Sequence, residues 1–197
     1  HYPRSWEWWF LQSSLRLENG TKWDIGSTFQ YKADKINKNF VINFSNLQWY
    51  IFNLNNKKNI IDFDLYNYKN ESLSKNSSAL NLFYDNCTLS GGYPDYYVHL
   101  EDKNKNYIID FNMTAETQPH WAMQEGGKGY FPFGLGICRY IFVLRLKTEG
   151  TVIHKGIKQK INGISYYEHA WGNFSYFIAK NKGDLAYTKD FFENLNI

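Results

Sequence analysis

Residues 7–31, "EWWFLQSSLRLENGTKWDIGSTFQY", decide how the rest of the chain is read. From Glu7 to Leu17 the stretch is rich in aromatic residues and too irregular in its apolar spacing for a helix, which predicts an extended strand. The Glu18-Asn19-Gly20 turn follows, and an Asn-Gly pair between two apolar runs is a strong hairpin signal. From Trp23 to Tyr31 the residues alternate, with Trp23, Ile25, Phe29 and Tyr31 on one side. One antiparallel hairpin of this kind sets an all-β expectation.

Working outward, further strands are predicted at Phe40 to Leu47, Trp49 to Leu54, Ile60 to Tyr66, Ala79 to Tyr84, Tyr93 to Leu100 and Tyr107 to Met113. Asn- and Lys-rich turns separate them. The pattern breaks over residues 114–136, "TAETQPHWAMQEGGKGYFPFGLG", with two prolines and five glycines. Roughly twenty irregular residues inside one domain predict a lid, plug or site wall. Strands resume at Cys138 to Lys147; "KTEGT" is expected to turn the chain into Val152 to Ile161, and Asn162-Gly163 to turn it again into Ile164 to Trp171. Phe174 to Ala179 reads as a strand, and only "TKDFFENLNI" at the end reads as weakly helical. Antiparallel strands joined by tight turns favour closure, because closure removes exposed edges. The expectation is one domain over residues 1–197, an antiparallel lipocalin-like β-barrel, with a β-sandwich as the competing architecture.

Aromatic residues make up 19% of the 197 residues, more than an ordinary core needs, so some rings are expected to line a cavity. A net charge of +3, with lysines scattered among asparagines at turns, argues for a solvated surface and against a nucleic-acid groove. No run of apolar residues is long enough for a membrane span. Cys87 and Cys138 are the only cysteines and serve equally as one disulfide or two buried thiols. Glycosylation-type sequons occur at Asn19, Asn43, Asn70, Asn76, Asn86, Asn112 and Asn173, where chance supplies roughly two, so the sequence leans towards a secreted rather than a cytoplasmic chain.

Among polar groups, Glu168 and His169 are consecutive in a predicted strand and must point to opposite faces, so they are not expected to pair. Glu168 shares a face with Tyr166 and Ala170, His169 with Tyr167 and Trp171. Whichever enters the interior is the catalytic candidate: a neutral imidazole passing a proton, or a carboxyl whose desolvation makes it a general acid. The plain alternative is a buried histidine bonded to a tyrosine or the backbone. Glu7, a candidate polar contact for the substrate, shares its parity with Trp9 and Leu11; it is either a solvent-exposed glutamate at the strand start or, if buried, needs a partner such as Arg139, Arg145 or a tyrosine hydroxyl. Trp8, Trp9, Trp121, Tyr167 and Trp171 are the candidate substrate-binding rings. His99 and His120 are further possibilities. No metal is expected, because no ligand spacing occurs. The "GGKG" at Gly126 lacks the phosphate-loop spacing, and there is no serine nucleophile elbow.

Three stretches in order, "SWEWWFLQSSLRLENGTKWDIGSTF", "GLGICRYIFVLRLKTEGTV" and "INGISYYEHAWGN", resemble the CrtC/AttH-like proteins, which include carotenoid 1,2-hydratases and are similar to lipocalin-like pericyclases. The family's Trp-Trp-Tyr opening falls on Trp8, Trp9 and Phe10, and its Asp-His-Glu-Trp-Gly stretch on Glu168 to Gly172. Glu168 keeps the aspartate's charge, whereas Ala170 replaces the glutamate and Phe10 loses a tyrosine hydroxyl. The resemblance implies a lipocalin-like domain corresponding to a first half, with a second such domain as a missing partner. It also implies an apolar small-molecule ligand, of terpenoid, polyene or polyketide-like kind, and hydration, isomerisation or cyclisation without a redox cofactor. The loss at Ala170 favours a non-catalytic ligand carrier instead, and a glycosylated structural or interaction domain is the third reading.

Overall fold

In the computed structural model, residues 5–37, 40–65, 80–123, 128–133 and 136–173 are described. They form a single antiparallel sheet of twelve strands. In chain order these are β1 (Ser5–Leu17), β2 (Lys22–Asn37), β3 (Phe40–Asn53), β4 (Lys58–Leu65), β5 (Leu80–Tyr84), β6 (Cys87–Gly92), β7 (Asp95–Glu101), β8 (Tyr107–Ala115), β9 (His120–Trp121), β10 (Tyr130–Phe133), β11 (Gly136–His154) and β12 (Ile157–Gly172). The spatial order is β4-β3-β2-β1-β12-β11-β8-β7-β6-β5, with β9 and β10 pairing the first part of β11.

The all-β expectation holds, but the closed barrel does not. The path has two ends: among the described residues β4 pairs only with β3 and β5 only with β6, and no ladder joins them. Closure demands that last ladder. The sheet wraps around one core instead, drawing Trp23, Leu47, Trp49 and Ile51 from one wing and Leu89, Val98, Leu100 and Phe111 from the other. The result is closer to an open sandwich. The interior is filled: Trp9, Trp23, Phe29, Trp49, Tyr84, Tyr96, Phe111 and Tyr167 are all buried. Much of the aromatic surplus is therefore core, where each ring fully removed from water contributes about 1.5–3 kcal/mol.

The β1–β2 hairpin forms as read, with Gly20 at φ 85 in the turn. Two later glycine signals are corrected. Gly150 and Gly163 lie inside β11 and β12, and the chain reverses between them at Lys155 and Gly156, both with positive φ. A Cβ on Gly150 would meet Asp110 O at 2.0 Å, and one on Gly163 would meet Ser14 O at 2.0 Å. Both glycines mark a close approach of the neighbouring strand rather than a turn. The 40–54 segment is one strand rather than two, and β6 was not anticipated. A bulge between Val143 and Leu146 shifts the phase of β11, so that Val143 and Leu146 are both buried while Leu144 is exposed. The segments expected as a strand at Phe174 to Ala179 and a helix at the end lie outside the described residues.

Gly163→Ala should lower unfolding stability by about 2 kcal/mol or more, because neither backbone can yield without breaking ladder bonds. Urea denaturation against a control substitution at exposed Ile164 checks this; an unchanged midpoint would show that the strands separate freely there.

Candidate functional site

β1 and β12 run side by side from Trp6 opposite Gly172 to Leu17 opposite Ile161. Odd-numbered residues of both strands face the core, as the burial of Leu11, Ser13, Leu15, Ser165 and Tyr167 shows. Towards one end, the core-side residues fall into transverse rows. One row runs Tyr31, Glu7, Trp171, Arg139, Tyr130 across β2, β1, β12, β11 and β10. The next runs Phe29, Trp9, His169, Ile141, Trp121.

The two candidates adjacent in sequence are separated by the sheet, as their parity requires. His169 stands on the core side, and its partner is Glu7: Nε2 lies 2.9 Å from Glu7 Oε1. The imidazole is stacked between Trp9, at 4.9 Å and 12°, and Trp171, at 4.3 Å and 24°. Rings on both sides and a carboxylate at one nitrogen fix its orientation. The side chains of His169 and Glu7 keep 22% and 19% of their exposure. Burial, with a smaller contribution from the Glu7 charge, raises the pKa of the Tyr31 hydroxyl. Tyr167 lies below, tilted against Tyr96 at 4.6 Å, and burial holds its hydroxyl well above the ordinary tyrosine value.

Glu168 stands on the opposite face among Trp8, Tyr140 and Tyr166. The Trp8 indole donates to Oε1 at 3.0 Å, while Tyr166, at 2.8 Å, and Tyr140 donate to Oε2. Burial first, and hydrogen bonding to Glu168 next, pushes the Tyr140 hydroxyl above its ordinary range. Three donors satisfy the carboxylate, which makes this cluster a polar clamp between β1, β11 and β12. Ala170, on the same face, is fully buried with Cys138 against Trp6, Trp8 and Tyr140.

The remaining candidates disperse. Trp121 meets Trp171 edge-on at 6.1 Å and so belongs to the His169 side, whereas Trp8 belongs to the Glu168 side. His120 stacks on Phe142, His99 binds Asp110 at 2.7 Å, and Arg145 pairs with Glu116. Among the described residues no group of side chains fits a metal ion, and no helix is long and apolar enough to cross a membrane. The "GGKG" stretch begins outside them. Gly163 also borders a groove of about 250 Å³ lined by Leu15, Arg16, Leu54 and Ile164, away from both carboxylates. Two placements escaped the sequence reading: Tyr140 beside Tyr166 on Glu168, and Arg139 beside Trp171 on the opposite face. Both follow from the register of β11 with β12, for which a linear pattern carries no signal.

Cys87 and Cys138 are free and buried, and burial pushes their thiols up to about 11 and about 12. Neither should react with iodoacetamide at pH 8 until the protein is unfolded, as intact-mass labelling will show. Burial also raises buried Tyr96 to about 12 from 10.0, and Tyr97, exposed on β7, is raised as well with the help of its donation to Asp110 at 2.7 Å. The stability that these protons carry is complete below pH 10 and lost as pH climbs through about 12, because the unfolded chain ionises first. The urea midpoint should therefore fall steadily above pH 10, with native phenolate absorbance lagging that of the unfolded chain.

No family model matches the chain, and no curated protein does. Solved structures do match. A protein of Nitrosomonas europaea provisionally called AttH aligns with a TM-score of 0.68 at 16% identity, over 88% of this chain and 53% of that one. Kievitone hydratase from Nectria haematococca aligns with a TM-score of 0.61 at 17% identity, over 88% and 49%. The chain thus spans about half the length of each. What it shares with them is the fold, and the AttH-like fold expected from its motifs is the one it has.

Proposed function

We propose that the Glu7–His169 end of the core is an acid–base site acting on an apolar small molecule, adding or removing water at a carbon–carbon double bond, or isomerising or cyclising it, without a redox cofactor. The observation that carries this reading is the imidazole clamped between two indoles and oriented by a carboxylate. The hydratase name of one structural neighbour supports the choice of reaction class, and the shared fold gives the proposal its frame. With Glu7 accepting from Nε2–H, Nδ1 is the nitrogen that exchanges a proton with a bound molecule. In hydration, the imidazolium gives its proton to one alkene carbon, water attacks the other, and the imidazole takes back the proton that the water sheds. Trp171, less buried than Trp9, presents indole surface able to stabilise positive charge developing on carbon. Trp121 confines the substrate, with buried Tyr167 as the floor beneath, which removes part of the entropy cost beforehand. A terpenoid, polyene or polyketide-like alkene suits such a lining. Since the chain spans about half of each neighbour, a second domain is included in the proposal as a partner.

An aromatic lining suits a carrier as well as an enzyme, and Ala170 is what favours the carrier; but Ala170 packs on the Glu168 face, across the sheet from His169. Its loss of a carboxylate removes nothing from the Glu7–His169 side. Glu168, satisfied by three donors, is assigned a positioning role.

Incubating the protein with apolar alkenes of these classes in ¹⁸O-water, and reading label incorporation by mass spectrometry, tests the proposal. His169→Gln should cut turnover by about 10²–10⁴ and Glu7→Gln by a smaller factor, with the fold intact by circular dichroism. Equal turnover in wild type and His169→Gln would refute the acid–base role. A ligand that binds without ever being converted would return the carrier.

A further inference from the structure

Arg139 is a cation for which that reaction has no use. It sits one strand beyond Trp171 in the row that contains Glu7, and its guanidinium carbon lies 4.2 Å from the Trp121 ring, 4.9 Å from Tyr130 and 5.4 Å from Trp171. Among the described residues no carboxylate pairs with it, and its buried Nε has no hydrogen-bond partner. Arg145, six residues on, shows the contrast: its Nε is taken by Glu116 at 2.6 Å.

Contact with ring faces holds a guanidinium in place through its plane and leaves the N–H groups at its edge unspent. The cage is itself fixed. Trp121 rests on Gly129, where a Cβ would come within 2.4 Å of the indole, and Tyr140 N donates to Gly129 O at 3.0 Å. Arg139 is therefore oriented before any ligand arrives, so ordering it costs little on binding. It and His169 both contact the Trp171 indole, which places an anion receptor beside the proton-transfer group.

We propose that Arg139 is the head-group anchor of this site, and that the ligand is an apolar body bearing an anionic oxygen, such as a carboxylate or phenolate, bound by the guanidinium edge while the body lies along Trp171 towards His169. The inference rests on the Glu7–His169 end being a ligand site. It adds the polar half of the ligand and makes Arg139 the residue that selects for it.

Two fluorescent probes that differ by one anionic group separate these claims: 8-anilinonaphthalene-1-sulfonate and the neutral N-phenyl-1-naphthylamine. Wild type should bind the sulfonate roughly tenfold more tightly than the neutral probe. Arg139→Gln should abolish that preference while leaving neutral-probe affinity within about twofold, and Arg139→Lys should retain part of it. Trp171→Ala should weaken both probes. Equal affinities in wild type, or a preference that survives Arg139→Gln, would overturn the anchor and leave the site standing. Failure of wild type to bind the neutral probe, or binding untouched by Trp171→Ala, would overturn the site and the anchor with it. Should Arg139→Gln not fold, the wild-type preference and the Arg139→Lys variant still decide.

Discussion

The ladder between β1 and β12 is the constraint on which the rest depends. It joins the first described strand to the last in twelve consecutive positions, and it brings Glu7 to His169 across 162 residues and Trp8 to Glu168 across 160. Ladder pairing fixes parity as well as position, and a slip of one residue would exchange the two faces. The buried hydroxyls of Ser13, Ser165 and Thr148 lock that register deeper in the core. Ser165 Oγ lies 2.7 Å from Ser13 Oγ and 2.6 Å from Thr148 Oγ1, so only the observed pairing leaves all three satisfied.

Because the sheet is one layer at this point, its two faces have diverged chemically. On the outer face a carboxylate receives all its hydrogen bonds from fixed donors and acts as a knot tying three strands. On the inner face a carboxylate meets an imidazole, and the pair remains partly open at the end of the core. Aromatic residues serve both faces and the interior. Trp49 and Phe29 fill space, Trp8 donates a hydrogen bond, Trp9 and Trp171 clamp a ring, and Trp121 steadies a cation.

What could be read from the sequence was what depends on near neighbours. Alternation placed Glu168 and His169 on opposite faces and made an all-β fold plain, and the Asn-Gly turn after Leu17 was found because its geometry is local. Asn162-Gly163 carries the same dipeptide inside a strand, where the glycine answers to Ser14 on a neighbour that no local rule can see. The bulge after Val143 inverts an alternation that looked continuous. Closure is illegible for a related reason: strand count and turn density are local quantities, whereas an open path depends on whether β4 and β5 meet. The partner of Glu7 was sought among arginines and tyrosines, and its true partner lay in the very pair that parity had separated.

The most direct test of this account is the imidazole nitrogen chemical shifts of His169, followed by long-range proton–nitrogen NMR in wild type, Glu7→Gln and Glu168→Gln. If the register is as described, the Nε2 signal should move markedly in Glu7→Gln and stay in place in Glu168→Gln. A His169 signal that ignores Glu7 and responds to Glu168 would show that the two faces had been exchanged, and the site described here would not exist.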